Sequence, residues 1–162
     1  MSQGGVIDGL EFARAGATRA GMLDLAQLPR LAEVGCRAAE VSYAIRGDTS
    51  AQGKPALLME VAGTLELVCQ RCLEALRMPI DVQSELELAE SQAAIDTAED
   101  DVDRVLATRS MAVAGLVEDE VILALPMVPM HARCTAAIGA APTQRVAPFA
   151  GLAALRTGRA KR

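Results

Sequence analysis

Residues 65–88 read LELVCQRCLEALRMPIDVQSELEL, two cysteines three positions apart between two runs of alternating apolar and polar side chains. Before the cysteines, Leu57, Met59, Val61, Leu65 and Leu67 share one face; after them, Met78, Ile80, Val82, Leu86 and Leu88 alternate with Arg77, Asp81, Gln83, Glu85 and Glu87. Successive side chains of an extended chain point to opposite sides, so a period of two predicts half-buried strands. The stretch is therefore read as a hairpin with the cysteine pair at its tip. Gly63 marks a bulge or a close backbone approach in the first strand.

The same period runs back through Val41, Tyr43 and Ile45, with Glu40, Ser42 and Arg46 on the other face, and GDTSAQGKP (47–55) supplies the intervening loop. Three successive strands with short links predict an antiparallel meander with one wet face. Farther upstream, Leu10 and Phe12 alternate weakly with Glu11 and Ala13, suggesting a strand before a loop at GATRAG (16–21). LPRLAEVG (28–35) predicts a short helix, with Pro29 in its first turn, Leu28, Leu31 and Val34 spaced by three, and Gly35 as its stop.

Downstream, residues 90–109 are acidic and weakly patterned, which predicts an extended, mobile loop. Ser110 then reads as the cap of a helix over residues 111–125 that must end before Pro126. The second half of that helix is apolar nearly all round and should be buried on more than one side. Phe149, Leu152 and Leu155 follow Pro148 at a spacing of three and predict a last short helix docked on the body. The expected fold is α+β, an antiparallel β-meander with two or three short flanking helices and an acidic loop. Residues 1–155 form one domain, and 156–162 a basic tail.

The chain has 162 residues, enough to bury roughly 70% of the surface exposed on unfolding. Charge is unevenly spread: all 21 acidic side chains lie at or before Glu120, and residues 133–162 carry six basic side chains and no acid. Aromatics are limited to Phe12, Tyr43 and Phe149, too few for a platform that stacks single-stranded bases. Any RNA contact must be mainly electrostatic. The N-terminal residues lack the basic start and apolar run of a secretion signal, and no apolar run is long enough to span a bilayer. The expectation is a cytoplasmic protein with reduced thiols, no membrane contact and no small-molecule substrate.

A C-x2-C pair across a tight turn aims two sulfurs at one point, as half of a zinc site requires. HARC supplies a second pair with the same gap, so Cys69, Cys72, His131 and Cys134 form a candidate Cys3His site that would clip the post-helix segment to the hairpin tip. Such sites contribute about 10 to 16 kcal/mol to folding in zinc-finger peptides. The competing account is four unconnected residues: cysteine also serves as a small hydrophobe, and 58 residues separate Cys72 from His131, far more than in a finger. Cys36 reads as core. A redox pair is the weaker alternative, because Cys69 and Cys72 lie between strands and not at a helix N-terminus, although Arg71 between them favours a thiolate.

Glu118, Asp119 and Glu120 are the sharpest acidic cluster, read as a solvated helix face or, with Arg71, as a partner surface. No nucleophile, base and orienting residue can be assembled around them, so no catalytic residue is assigned. Arg145, Arg156, Arg159, Lys161 and Arg162 form a candidate RNA-binding tail, whose plainer reading is a disordered basic end. With Arg133, full neutralisation of single-stranded phosphates would give a log–log salt slope of about −4.

VCQRCLEALRMPIDVQSELEL, the acidic loop after it, LVEDEVILALPMVPMHARC and APFAGLAAL together resemble the YceD family, also catalogued as domain of unknown function 177. The resemblance covers the chain from about residue 57 onward; the first 50 residues are only loosely similar. The family's pattern falls on Cys69, Arg71, Cys72, Glu118, Asp119, Glu120, Leu125, Pro126, His131, Cys134, Pro148 and Phe149, with alanine before Pro148 where relatives more often have asparagine. The resemblance implies a non-enzymatic protein needed for accumulation of large-subunit (23S) ribosomal RNA, through its synthesis, processing or stability. The expected partners are that RNA or its precursor, contacted directly or indirectly, and a ribosomal protein or assembly factor suited to an acidic body. The alternative is a zinc-stabilised protein interaction module with no RNA contact.

Overall fold

The computed structural model describes residues 5–97 and 101–134. Strand Val6–Ile7 (β1) leads into helix Gly9–Arg14 (α1), strand Thr18–Asp24 (β2), a 3-10 turn at Leu25–Gln27 and helix Pro29–Glu33 (α2). Three long strands follow, Ala38–Thr49 (β3), Pro55–Val68 (β4) and Ala75–Ala89 (β5). Helix Gln92–Asp96 (α3), strands Arg104–Leu106 (β6) and Met111–Ala112 (β7), and helix Val113–Ala124 (α4) complete the described chain.

The meander expected from the period of two is the centre of a five-stranded sheet ordered β2-β3-β4-β5-β6, antiparallel except for the parallel pair β5-β6. Register puts Tyr43 opposite Val61 and Val61 opposite Val82, while Leu57 faces Leu86. These side chains line the covered face, where Val41, Ile45, Leu57 and Leu65 are fully buried. Helices α1 and α4 pack there, and α2 packs on α4. The opposite face stays wet, with Glu40, Glu60, Asp81 and Glu85 exposed.

Two glycines set how closely backbone can approach. The ladder runs unbroken through Val41, Gly63 and Ile80, so Gly63 makes no bulge. A Cβ there would strike the carbonyl oxygen of Glu40 and come 2.9 Å from Val41 Cα. Gly47 does the same for α1, since a side chain would meet the backbone of Phe12 and Ala13.

Several local expectations are corrected. Leu10 and Phe12 lie on α1, not a strand, because Asp8 accepts a hydrogen bond from Glu11 N at 3.1 Å and caps a helix over them. GATRAG is not all loop: Thr18 begins edge strand β2, where Gly21 lies opposite Tyr43. Helix α4 starts at Val113 and Ser110 does not cap it, because Met111 and Ala112 pair with β1. The helix does stop before Pro126, but its second half is the more open one, with Leu123 79% exposed.

The acidic segment is also more ordered than expected. Ser91 accepts from Ala94 N and caps α3, and β6 runs beside β5. A buried carboxylate ties it down: Glu87, 1% exposed, accepts from Ser50 Oγ at 2.7 Å, Arg104 Nε at 3.1 Å and Lys54 Nζ at 3.4 Å. The Ser50 hydroxyl, then Lys54 and Arg104, hold Glu87 below its usual carboxylate range against the opposing effect of burial. Because the folded value is depressed, this stability is full above the unfolded value near 4.5 and is lost as pH falls through the folded one. Glu87→Gln should therefore cost about 3 kcal/mol at pH 7. Denaturant titrations of both proteins should show that difference shrinking below about pH 4.5, and a gap independent of pH would contradict the clamp.

Candidate metal centre

The hairpin tip is built by its backbone. Cys69 N donates to Glu74 O and Leu73 N donates to Cys69 O, both at 2.9 Å, which closes a turn and brings Cys69 and Cys72 to one side. Leu73 takes φ 64°, a left-handed conformation that costs a leucine about 1 kcal/mol or more. The turn holds this strain where it brings the two thiols together.

The other half arrives from the chain leaving α4. Gln70 N donates to Pro129 O at 2.9 Å, pinning the post-helix loop to the tip, and the next residues deliver His131 and Cys134. All four donor atoms of Cys69, Cys72, His131 and Cys134 then lie within 4.8 Å of one another. Cys69 Sγ is 3.7 Å from Cys134 Sγ, and Cys72 Sγ is 3.3 Å from His131 Nδ1. The four ligands predicted from two equal spacings converge across 58 intervening residues.

A surrounding layer orients them. His131 Nε2 lies 3.1 Å from Ala75 O; donating there leaves Nδ1 free for a metal ion. Arg71 Nε donates to Cys134 Sγ at 3.0 Å and a terminal guanidinium nitrogen to His131 O at 3.0 Å. The positive charge offsets thiolate charge, and Cys134 in turn raises the Arg71 pKa.

Burial of Cys69 opposes its ionisation, but backbone N–H groups of Cys72, His131 and Arg71 prevail and lower the thiol pKa to about 5. At Cys72 the backbone at Glu74 works downward, yet desolvation and the adjoining Cys69 and Cys134 push that thiol up. The backbone donors thus favour the thiolate form of Cys69, the form in which cysteine binds a metal. Cys36 is separate, buried in the core with its thiol donating to Ala38 O.

The acidic cluster has a different place from the one its sequence suggests. Glu118 is 3% exposed and Glu120 7%, so neither belongs to a hydrated face. Glu118 accepts from Arg30 N at 2.6 Å, Leu31 N at 3.1 Å and Arg30 Nε at 2.8 Å. Helix α2 has no side-chain cap of its own, so a carboxylate from α4 does that work. Asp119 stays half exposed and takes the other arm of Arg30. Arg71 likewise faces the donor cluster rather than open solvent. Arg145, Arg156, Arg159, Lys161 and Arg162 lie outside the described residues, as do Pro148 and Phe149.

Sequence reasoning found the four donors and missed Arg30, Glu87 and Arg104. Arg30 meets Glu118 across 88 positions, and no local spacing announces such a pair.

Fold and site together define an α+β protein in which a sulfur-rich cluster able to hold a metal ion joins a sheet hairpin to the chain after its long helix. Residues 57–156 match the family described as Large ribosomal RNA subunit accumulation protein YceD. The chain belongs to that family. No curated protein and no solved structure matches it. Among the described residues, no helix is long and apolar enough to cross a membrane.

Titration with Co2+ should give the intense visible bands of a tetrahedral, thiolate-bound ion at one equivalent per chain. Arg71→Ala should weaken binding by about 10- to 100-fold with those bands unchanged in position, and unaltered affinity would make the arginine a bystander.

Proposed function

We propose that this protein is a non-catalytic factor in ribosome biogenesis that supports synthesis, processing or stability of large-subunit (23S) ribosomal RNA in the cytoplasm. Its membership of a family described by large ribosomal RNA subunit accumulation carries the reading. The donor cluster accords with it, because its thiols, imidazole and guanidinium are turned toward one another and the backbone rather than into an open cleft.

Zinc is the ion that the donors fit best. Three sulfurs and an imidazole are a common structural zinc set, and a tetrahedron with metal–sulfur bonds of about 2.3 Å has sulfur–sulfur edges near 3.8 Å. The 3.7 Å between Cys69 and Cys134 agrees. When bound, zinc supplies folding free energy by cross-linking the tip to the post-helix loop.

In this reading Arg145, Arg156, Arg159, Lys161 and Arg162 contact RNA phosphates, and the acidic body engages a basic ribosomal protein or an assembly factor. The exposed carboxylates of Glu40, Glu60, Asp81 and Glu85 on the open sheet face favour such a partner. The same carboxylates support a second reading, a zinc-stabilised protein interaction module that never touches RNA.

RNA-binding assays across a salt series separate the two. Deleting residues 156–162 removes four cations, so binding to a single-stranded large-subunit RNA segment should weaken and its log–log salt slope should flatten by about 3. In lysate gradients the intact protein should travel with large-subunit precursors until RNase is added. Unchanged affinity and slope on deletion would remove the tail from the account, and migration only as a small free protein would favour the module.

A further inference from the structure

Beside the metal centre, the end of α2, the end of β4, the last turn of α4 and the loop after it enclose a groove of about 420 Å³. Val34, Leu67, Ile122, Leu125, Val128 and Pro129 line it. Val34 is 53% exposed and Val128 54%, and Met127 on the same rim projects wholly into solvent. An apolar surface of this kind usually marks a contact.

The chain itself carries a matching segment. Residues 146–155 contain no charged side chain, and within them Phe149, Leu152 and Leu155 recur at a spacing of three. The family match runs on to residue 156, so the family unit takes in this segment and ends where the basic residues begin. The tether is short. The described chain ends at Cys134, whose Sγ is 3.7 Å from that of Cys69, and the next residue, Gln70, borders the groove. Phe149 is 15 positions farther on, a reach of up to about 50 Å when extended. Attachment this close gives an effective concentration in the millimolar range, so a modest apolar contact suffices to hold it.

We propose that residues 147–155 occupy this groove, with the Phe149 ring set against Val34, Leu125 and Val128. The docked segment closes the open half of α4 and delivers the basic residues after Leu155 to the side of the molecule that bears Arg71 and the metal centre. Whether those residues then meet RNA is a separate matter, because the docking needs only this chain.

Methyl-labelled full-length protein with its metal tests the docking by NMR. Phe12 and Tyr43 are the only other phenyl rings and the His131 imidazole lies nearby, so the ring-current change caused by Phe149→Leu is the part that reports on Phe149. Nuclear Overhauser effects should join the Phe149 ring to methyls of Val34, Leu125 and Val128. Phe149→Leu should abolish them and shift those methyls, with the core methyls of Ile45 and Val61 unmoved. Val34→Asp should return the Leu152 and Leu155 methyls to random-coil positions. The absence of these effects in the parent, or groove methyls indifferent to both substitutions, would overturn the proposal. Contacts between differently labelled chains in a mixed sample would also overturn it, assigning the groove to a second copy.

Discussion

Four donor atoms must meet at a point reached from two parts of the chain, and the tip of the β4-β5 hairpin exists in its strained form to allow it. Cys69 and Cys72 converge only because the turn bends through a left-handed Leu73. His131 and Cys134 converge on them only because α4 ends before Pro126 and the loop after it is pinned by Gln70. The turn at Leu73, the end of α4 and the Gln70–Pro129 bond together bring the sulfur and nitrogen donors into one small cluster.

Two further ionic ties do for the rest of the molecule what the cluster does for the tip. Glu118 reaches from α4 to the bare first turn of α2 and holds Arg30 beside it. Glu87 gathers Ser50, Lys54 and Arg104 and thereby fastens the acidic segment to the sheet edge. In each case a nearly buried carboxylate is satisfied by several donors, the condition under which a buried charge is tolerated. Of the acids that remain in water, Glu40, Glu60, Asp81 and Glu85 share the open sheet face, a local negative field suited to a basic partner.

The strands were legible because each alternates over many residues, and a period of two survives any tertiary context that covers one face. The metal donors were legible because two pairs share a spacing set by the geometry of a turn. Among the short elements α2 was legible, from Pro29 at its start and Gly35 after its end, but the others were not. Leu10 and Phe12 alternate by accident on a helix decided by the Asp8 cap, and the Ser110 signal lost to strand pairing at Met111. VEDE looked hydrated because a sequence shows charge but not the partner: Arg30 lies 88 positions from Glu118, and only folding brings them together. The order in the acidic segment was hidden for the same reason, since Glu87 sits on a strand whose alternation assigns it to the wet face.

X-ray absorption at the zinc edge, on the full chain purified without added metal, addresses the proposed Cys3His centre directly. The account predicts one zinc per chain with three sulfurs at about 2.3 Å and one nitrogen at about 2.0 to 2.1 Å. A first shell of oxygen and nitrogen alone, or a folded protein that retains no zinc, would contradict it.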